Sequence, residues 1–197
     1  GWAFIWVQPL PVDVWVPEAY VFYSILMNAH FPWAQAFLLL VLVLTALWHA
    51  GSIPARYALP VMALLLVALA LLQPFAVGQV GLVWAVWLVF ESVTHRRIPW
   101  KTVALLGVVG ALGLLYPVYG FLALRRDPVL AMWNTQNVTT SPPWWNWLIG
   151  YALVLPWAIP GTLRAWREDR PLGRMLLAWA MGSLLGMAAP LSLQRRF

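Results

Sequence analysis

Long apolar runs separated by brief polar punctuation dominate the 197-residue chain. A membrane-crossing helix needs about 20 predominantly apolar residues. Hydropathy, prolines and charges divide the chain into six candidate spans: residues 31–50, 57–72, 75–90, 102–124, 145–163 and 175–193. Trp33 and Trp48 frame the first span at the depths an aromatic belt occupies. The second and third spans are short, with only Gln73-Pro74 between them. Proline lacks a backbone donor and disfavours helix in the residue before it. A tight helical hairpin is the simplest reading, and a single kinked helix over 57–90 competes with it. Pro156 and Pro160 are expected to kink or end the fifth span.

Ahead of the first span, Pro9 and Pro11 break any early helix. Val16-Pro17-Glu18 has the form of a helix start, with proline at the first helical position and an acid in the first turn. The apolar run 19–27 that follows is too short to span and reads as an interfacial or re-entrant helix. Gly182 and Gly186 form a small-xxx-small pair, and Gly107, Gly110 and Gly113 recur every three residues. Such positions let helix backbones approach closely in lipid. The expected fold class is all-α: a polytopic transmembrane bundle of about six spans plus one short interfacial helix. It forms a single domain, with an outer segment at 1–30, spans one to four at 31–124, an outer polar loop at 125–144, spans five and six at 145–193, and a new loop starting at 194–197.

Composition sharpens this. Hydrophobic residues make up 63% of the chain and charged residues only 9%, and mean hydropathy is +0.78. A soluble domain has about 45–50% apolar and 25% charged residues, so a soluble enzyme, a disordered chain and a nucleic-acid-binding domain are excluded. The absence of Cys removes disulfides and thiolate chemistry. The chain opens on Gly1 and closes on Arg195-Arg196-Phe197, and it reads as an internal piece of a larger protein, with a processed N-terminus as the plainer alternative.

Short-loop Lys and Arg set orientation. With residues 1–30 on side A, side B holds eight: Arg56, Arg96, Arg97, Lys101, Arg164, Arg167, Arg170 and Arg174. Side A holds four: Arg125, Arg126, Arg195 and Arg196. A single span over 57–90 would turn this split into five against seven, so the bias favours the hairpin. Side B, with loops 51–56, 91–101 and 164–174, is expected to face the cytoplasm of a bacterium. Segments 1–30, 125–144 and 194–197 are expected outside. The basic loops on side B read as topological determinants that also attract anionic lipid heads.

Positive charge on side A opposes the topology rule and calls for a reason. Arg125-Arg126-Asp127 leads into the longest uncharged polar run in the chain, Asn134 to Ser141, and then into Pro142-Pro143-Trp144-Trp145. Asn134, Gln136 and Asn137 beside Trp133, Trp144 and Trp145 suit a sugar ring, which presents many hydrogen-bonding groups and a flat apolar face. A solvated loop with an aromatic belt is the plainer alternative. Arg195-Arg196 can hold a phosphate bidentately, or simply snorkel at a helix end. The acids on side A are Asp13, Glu18 and Asp127, and Asp127 is expected to pair with Arg125 or Arg126. His30 lies at the junction of the short helix and the first span. His49 and His95 are the only histidine pair near side B, but His95 sits in a loop beside Arg96-Arg97, which argues against haem. The sequence implies no cofactor and leaves a divalent metal open.

Three features together resemble part of a polytopic bacterial glycosyltransferase of the GT-C type. They are the acidic short helix leading to His30-Phe31-Pro32, the outer loop from Gln136-Asn137 to Ser141-Pro142-Pro143, and the closing Pro190-Leu191-Ser192-Leu193-Gln194-Arg195-Arg196-Phe197. The resemblance covers most of this chain and a minority of a complete enzyme. It implies a polyprenyl-phosphate sugar donor, an extracytoplasmic site and a catalytic acid in a first outer loop. Asp13 and Glu18 are the only acids this chain offers in that role. Arg195 and Arg196 would hold the phosphate, Arg125 and Arg126 count among the substrate-binding residues, and Asn134, Gln136, Asn137, His30 and the Trp cluster would line the sugar or acceptor site. The partners so implied are the bilayer and the lipid-linked sugar, with no nucleic acid. Two rival readings are a lipid transporter, for which only Thr45, Gln79 and Ser183 offer mid-membrane polarity, and a structural subunit of a membrane complex.

Overall fold

A computed structural model describes residues 30–136, 145, 152, 154–168 and 170–188. Among these residues the chain is helical, with no strand. Seven helices are described: α1 (His30–His49), α2 (Ala55–Leu72), α3 (Pro74–His95), α4 (Trp100–Arg126), α5 (Pro128–Gln136), α6 (Leu155–Arg167) and α7 (Pro171–Ala188). Helices α1 to α4 are long and apolar enough to cross a membrane. They match the first four expected spans, and α3 runs five residues beyond the expected end.

Residues 57–90 form two helices folded back on each other. Gln73 breaks the helix, with φ −151° and ψ 85°, and Pro74 begins the next one. Thr45 on α1 touches both Met62 on α2 and Trp84 on α3. In one continuous helix those two residues would lie about 33 Å apart at 1.5 Å per residue. The hairpin therefore stands, and side A and side B alternate through α4 as the charge bias requires.

Helix α3 is the centre of the bundle. Its buried positions Ala76, Val80, Val83, Trp87 and Glu91 follow helical spacing, and Val77 and Trp84 widen the stripe. It packs against α1, α2, α4 and α7. Helix α2 lies between α1 and α4 and packs against both. Helix α4 buries Thr102, Leu106, Val109 and Gly113, all in its first half.

Small residues set the closest approaches. A Cβ at Gly113 would lie 3.0 Å from Leu66 Cβ on α2, and one at Gly182 would lie 3.1–3.5 Å from side-chain and backbone atoms of Val83 on α3. Gly110 faces Trp84, whereas Gly107 meets nothing within 4 Å. The three-residue glycine spacing thus places two of its members, not three, at contacts. The drift arises because a three-residue step falls short of the 3.6-residue turn.

The expected fifth and sixth spans differ from the first four. Trp145 is helical, but Ala152 and Val154 lie in turns and α6 begins only at Leu155. Pro156 therefore starts a helix rather than ending one, because its fixed φ and missing N–H suit the first turn. Pro160 lies inside α6. No residue of α6 is buried. Helix α7 runs antiparallel to α3, as its pairings Arg174 with Glu91, Gly182 with Val83 and Ser183 with Gln79 require. Its composition, with Arg174, Ser183 and three glycines, leaves it outside the four long apolar helices.

Candidate functional sites

The side A site grows out of the end of α4. Arg125 and Arg126 occupy its last turn, where cations complement the helix dipole. Both are exposed, and the Arg125 guanidinium lies 4.4 Å from the centre of the Phe121 ring. Asp127 does not pair with either of them, contrary to expectation. Its Oδ1 accepts hydrogen bonds from the backbone N–H of Val129 (2.8 Å) and Leu130 (3.3 Å), capping α5. Capping competes successfully because Pro128 at the first helical position aims those donors at the aspartate. Among the described residues, both arginines are thus left without an acidic partner.

Helix α5 carries Trp133, Asn134 and Gln136 directly after this arginine pair, so the expected polar loop begins as a helix. Trp145 is helical and half-exposed. His30 opens α1 at the same end of the bundle, exposed, with its ring 4.4 Å from that of Phe31. It is separated from α4 by α2, and the structure does not bring it to the arginine pair. Asp13, Glu18, Asn137, Trp144, Arg195 and Arg196 lie outside the described residues.

A second constellation, at side B, escaped the sequence reading. Glu91 is only 1% exposed, one turn inside the end of α3. Arg174 of α7, itself buried, donates from Nε to Glu91 Oε1 at 2.6 Å. His49 Nε2 of α1 lies 3.1 Å from Glu91 Oε2, and His95 Nε2 lies 3.3 Å from the same oxygen. The His49 ring also stands edge-on to Trp87 at 4.8 Å. One carboxylate thus joins three helices, α1, α3 and α7.

Both imidazole nitrogens converge on a carboxylate oxygen, not on a shared vacant point. Among the described residues no group of three or more His, Asp or Glu is arranged to hold a metal ion. His49 and His95 do face one another across this end, but as partners of Glu91. An acid on an otherwise apolar helix demands a partner, and Glu91 carried that signal. Arg174 was less legible, since Arg164, Arg167 and Arg170 of the same basic segment precede it in the pattern of side B charges.

The mid-membrane polar residues are engaged with their neighbours. Thr45 donates to the Val41 carbonyl at 2.7 Å and accepts from Trp84 Nε1 at 3.1 Å. Gln79 donates to Ser183 at 3.3 Å. They tie helices together, which gives the transporter reading no support.

The fold and these sites define a class: a polytopic α-helical membrane protein with a basic corner at side A and a buried ionic clamp at side B. Comparison with known protein families, curated proteins and solved structures finds no match for the chain.

Proposed function

We propose that this chain is part of a membrane glycosyltransferase that takes sugar from a lipid-phosphate donor at the extracytoplasmic face of a bacterial membrane. The observation that carries the reading is the exposed Arg125-Arg126 pair. Two adjacent guanidiniums stand at the end of a span without acidic partners among the described residues, because Asp127 is used as a helix cap. Seven of the eight basic residues assigned to side B are exposed there, which supports a cytoplasmic side B and an outer side A.

In the transfer itself, an acceptor hydroxyl oxygen attacks the anomeric carbon while the bond from that carbon to the donor phosphate oxygen breaks. The arginines stabilise the charge gathering on the departing lipid phosphate. An acid such as Asp13 or Glu18 takes the acceptor proton. Asn134 and Gln136 on α5 follow the arginines closely enough in sequence to contribute to the same corner.

The test is transfer from a synthetic polyprenyl-phosphate hexose by the intact protein and by the variant Arg125→Gln plus Arg126→Gln. A hydrogen bond to a charged group contributes about 1.5–3 kcal/mol, so the variant is expected to lose at least tenfold in kcat/KM. Undiminished turnover, or no transfer by the native protein, overturns the reading.

A further inference from the structure

We propose that helix α6 and the corner joining it to α7 form a docking site for anionic phospholipid in the leaflet at side B. This inference is independent of the glycosyltransferase reading. Helix α6 stands out among the described helices because its faces are segregated. Ile159, Leu163 and Trp166 recur at i, i+4 and i+7, all more than half exposed. Arg164 lies on the other side of the helix beside Trp157, and Arg167, four residues after Leu163, borders the stripe. Such a helix lies in the plane of the membrane interface, its apolar face in the acyl boundary and its cations among headgroups.

The structure also fixes its depth. The Trp166 ring packs edge-on against Phe90 at 5.9 Å. Phe90 lies five residues before the end of α3 at His95, which is about 7–8 Å along the axis. Trp166 therefore sits where aromatic side chains mark the boundary between hydrocarbon and headgroups.

A cleft of about 290 Å³ opens at the corner, lined by Gly161, Arg164, Glu168 and Arg170 on one side and by Leu172 and Leu176 on the other. Glu168 meets Arg164 and Arg170 through their Nε atoms, at 2.5 and 3.5 Å. It holds the two guanidiniums side by side, with their terminal nitrogens available to a phosphate. Arg167 has no acidic partner among the described residues. The exposed side chains of Leu172 and Leu176 continue the cleft along α7 as a track for an acyl chain. A basic rim joined to an apolar wall matches a phosphate ester that carries a lipid tail.

Each arginine near a charged bilayer surface adds about five-fold to lipid affinity. The test compares the full chain with the variant Arg164→Gln, Arg167→Gln, Arg170→Gln, titrated in detergent with phosphatidylglycerol or phosphatidylcholine and read by lipid retention in native mass spectrometry and by melting temperature. Phosphatidylglycerol is expected to bind the native chain and raise its melting temperature, and the variant is expected to bind it on the order of 100-fold more weakly. Phosphatidylcholine is expected to do neither. The control variant Arg96→Gln plus Arg97→Gln, in the α3–α4 loop, is expected to retain phosphatidylglycerol. Equal retention by the triple variant overturns the site. An equal melting shift from inorganic phosphate alone shows a free-anion site instead, and concentration-dependent dimerisation that displaces the lipid assigns the face to a second copy of the chain.

Discussion

Removing Arg174 is the perturbation that most directly probes how this bundle is held. Arg174→Met keeps the length of the side chain and discards its charge. The Glu91 carboxylate, 1% exposed, is then left inside three packed helices with only the two imidazoles for company. Breaking one side of a buried ion pair is destabilising by about 3–5 kcal/mol, because the orphaned charge remains desolvated. For a chain of this size, that corresponds to a drop in melting temperature on the order of 10 °C. Glu91→Leu alone takes the carboxylate away from Arg174, His49 and His95 and is expected to be destabilising as well. The double variant removes both charges and replaces them with apolar volume, which is often neutral or stabilising.

A double-mutant cycle, followed by intrinsic fluorescence of the 15 Trp during thermal unfolding in detergent, isolates the coupling. The double variant is expected within about 1 kcal/mol of the native chain, so singles that each cost about 3 kcal/mol or more give a coupling of at least about 5 kcal/mol. Singles that each lose less than about 1 kcal/mol, the range of an exposed pair, would refute the reasoning. A double variant whose loss is the sum of the singles would do the same.

Further outcomes follow from the packing and charges. Gly113→Leu and Gly182→Leu should each lower stability by about 1–3 kcal/mol through overpacking, whereas Gly107→Ala, with open space around it, should raise it by about 0.5–1 kcal/mol; chemical or thermal unfolding of the three variants distinguishes them. Gly173→Val should detach α6 from α7, because a Cβ there would lie 2.9 Å from the Ala165 carbonyl oxygen; a spin label at position 162 would report the loosened corner. The hydrogen bond from Arg164 holds the Glu168 carboxyl below its ordinary value of 4.5. Its contribution to the corner is therefore fully present above pH 4.5 and is lost as pH falls through the lower folded-state value. The same label should gain mobility only in that acid range, and Glu168→Gln should abolish the pH dependence. Because the chain has no Cys, single cysteines at positions 96 and 126 can be probed with an impermeant maleimide, and they should react from opposite sides of the membrane.

The membrane character, the first four spans and the break at Gln73-Pro74 were legible in the chain itself. Length and hydropathy decide whether a helix can cross a bilayer, and proline acts on its immediate neighbours, so both are local properties. The alternation of sides also followed from counting Lys and Arg. The sequence equally marked Arg125 and Arg126 as charges out of place.

Which helices adjoin, and which charges meet, depended on the tertiary structure. Helices α1 to α4 are apolar nearly all round, so periodicity gives only a weak sign of which face turns to protein and which to lipid. Glu91 and Arg174 are 83 residues apart. Arg174 reads as one more cation of a basic loop until antiparallel packing of α7 on α3 lays it against the carboxylate. Asp127 shows the same limit at short range: beside two arginines it reads as an ion-pair partner, yet the geometry of the α5 start makes it a cap. Local chemistry told this chain where to enter and leave the membrane, and only the packing of distant helices determined which of its few charges are buried together.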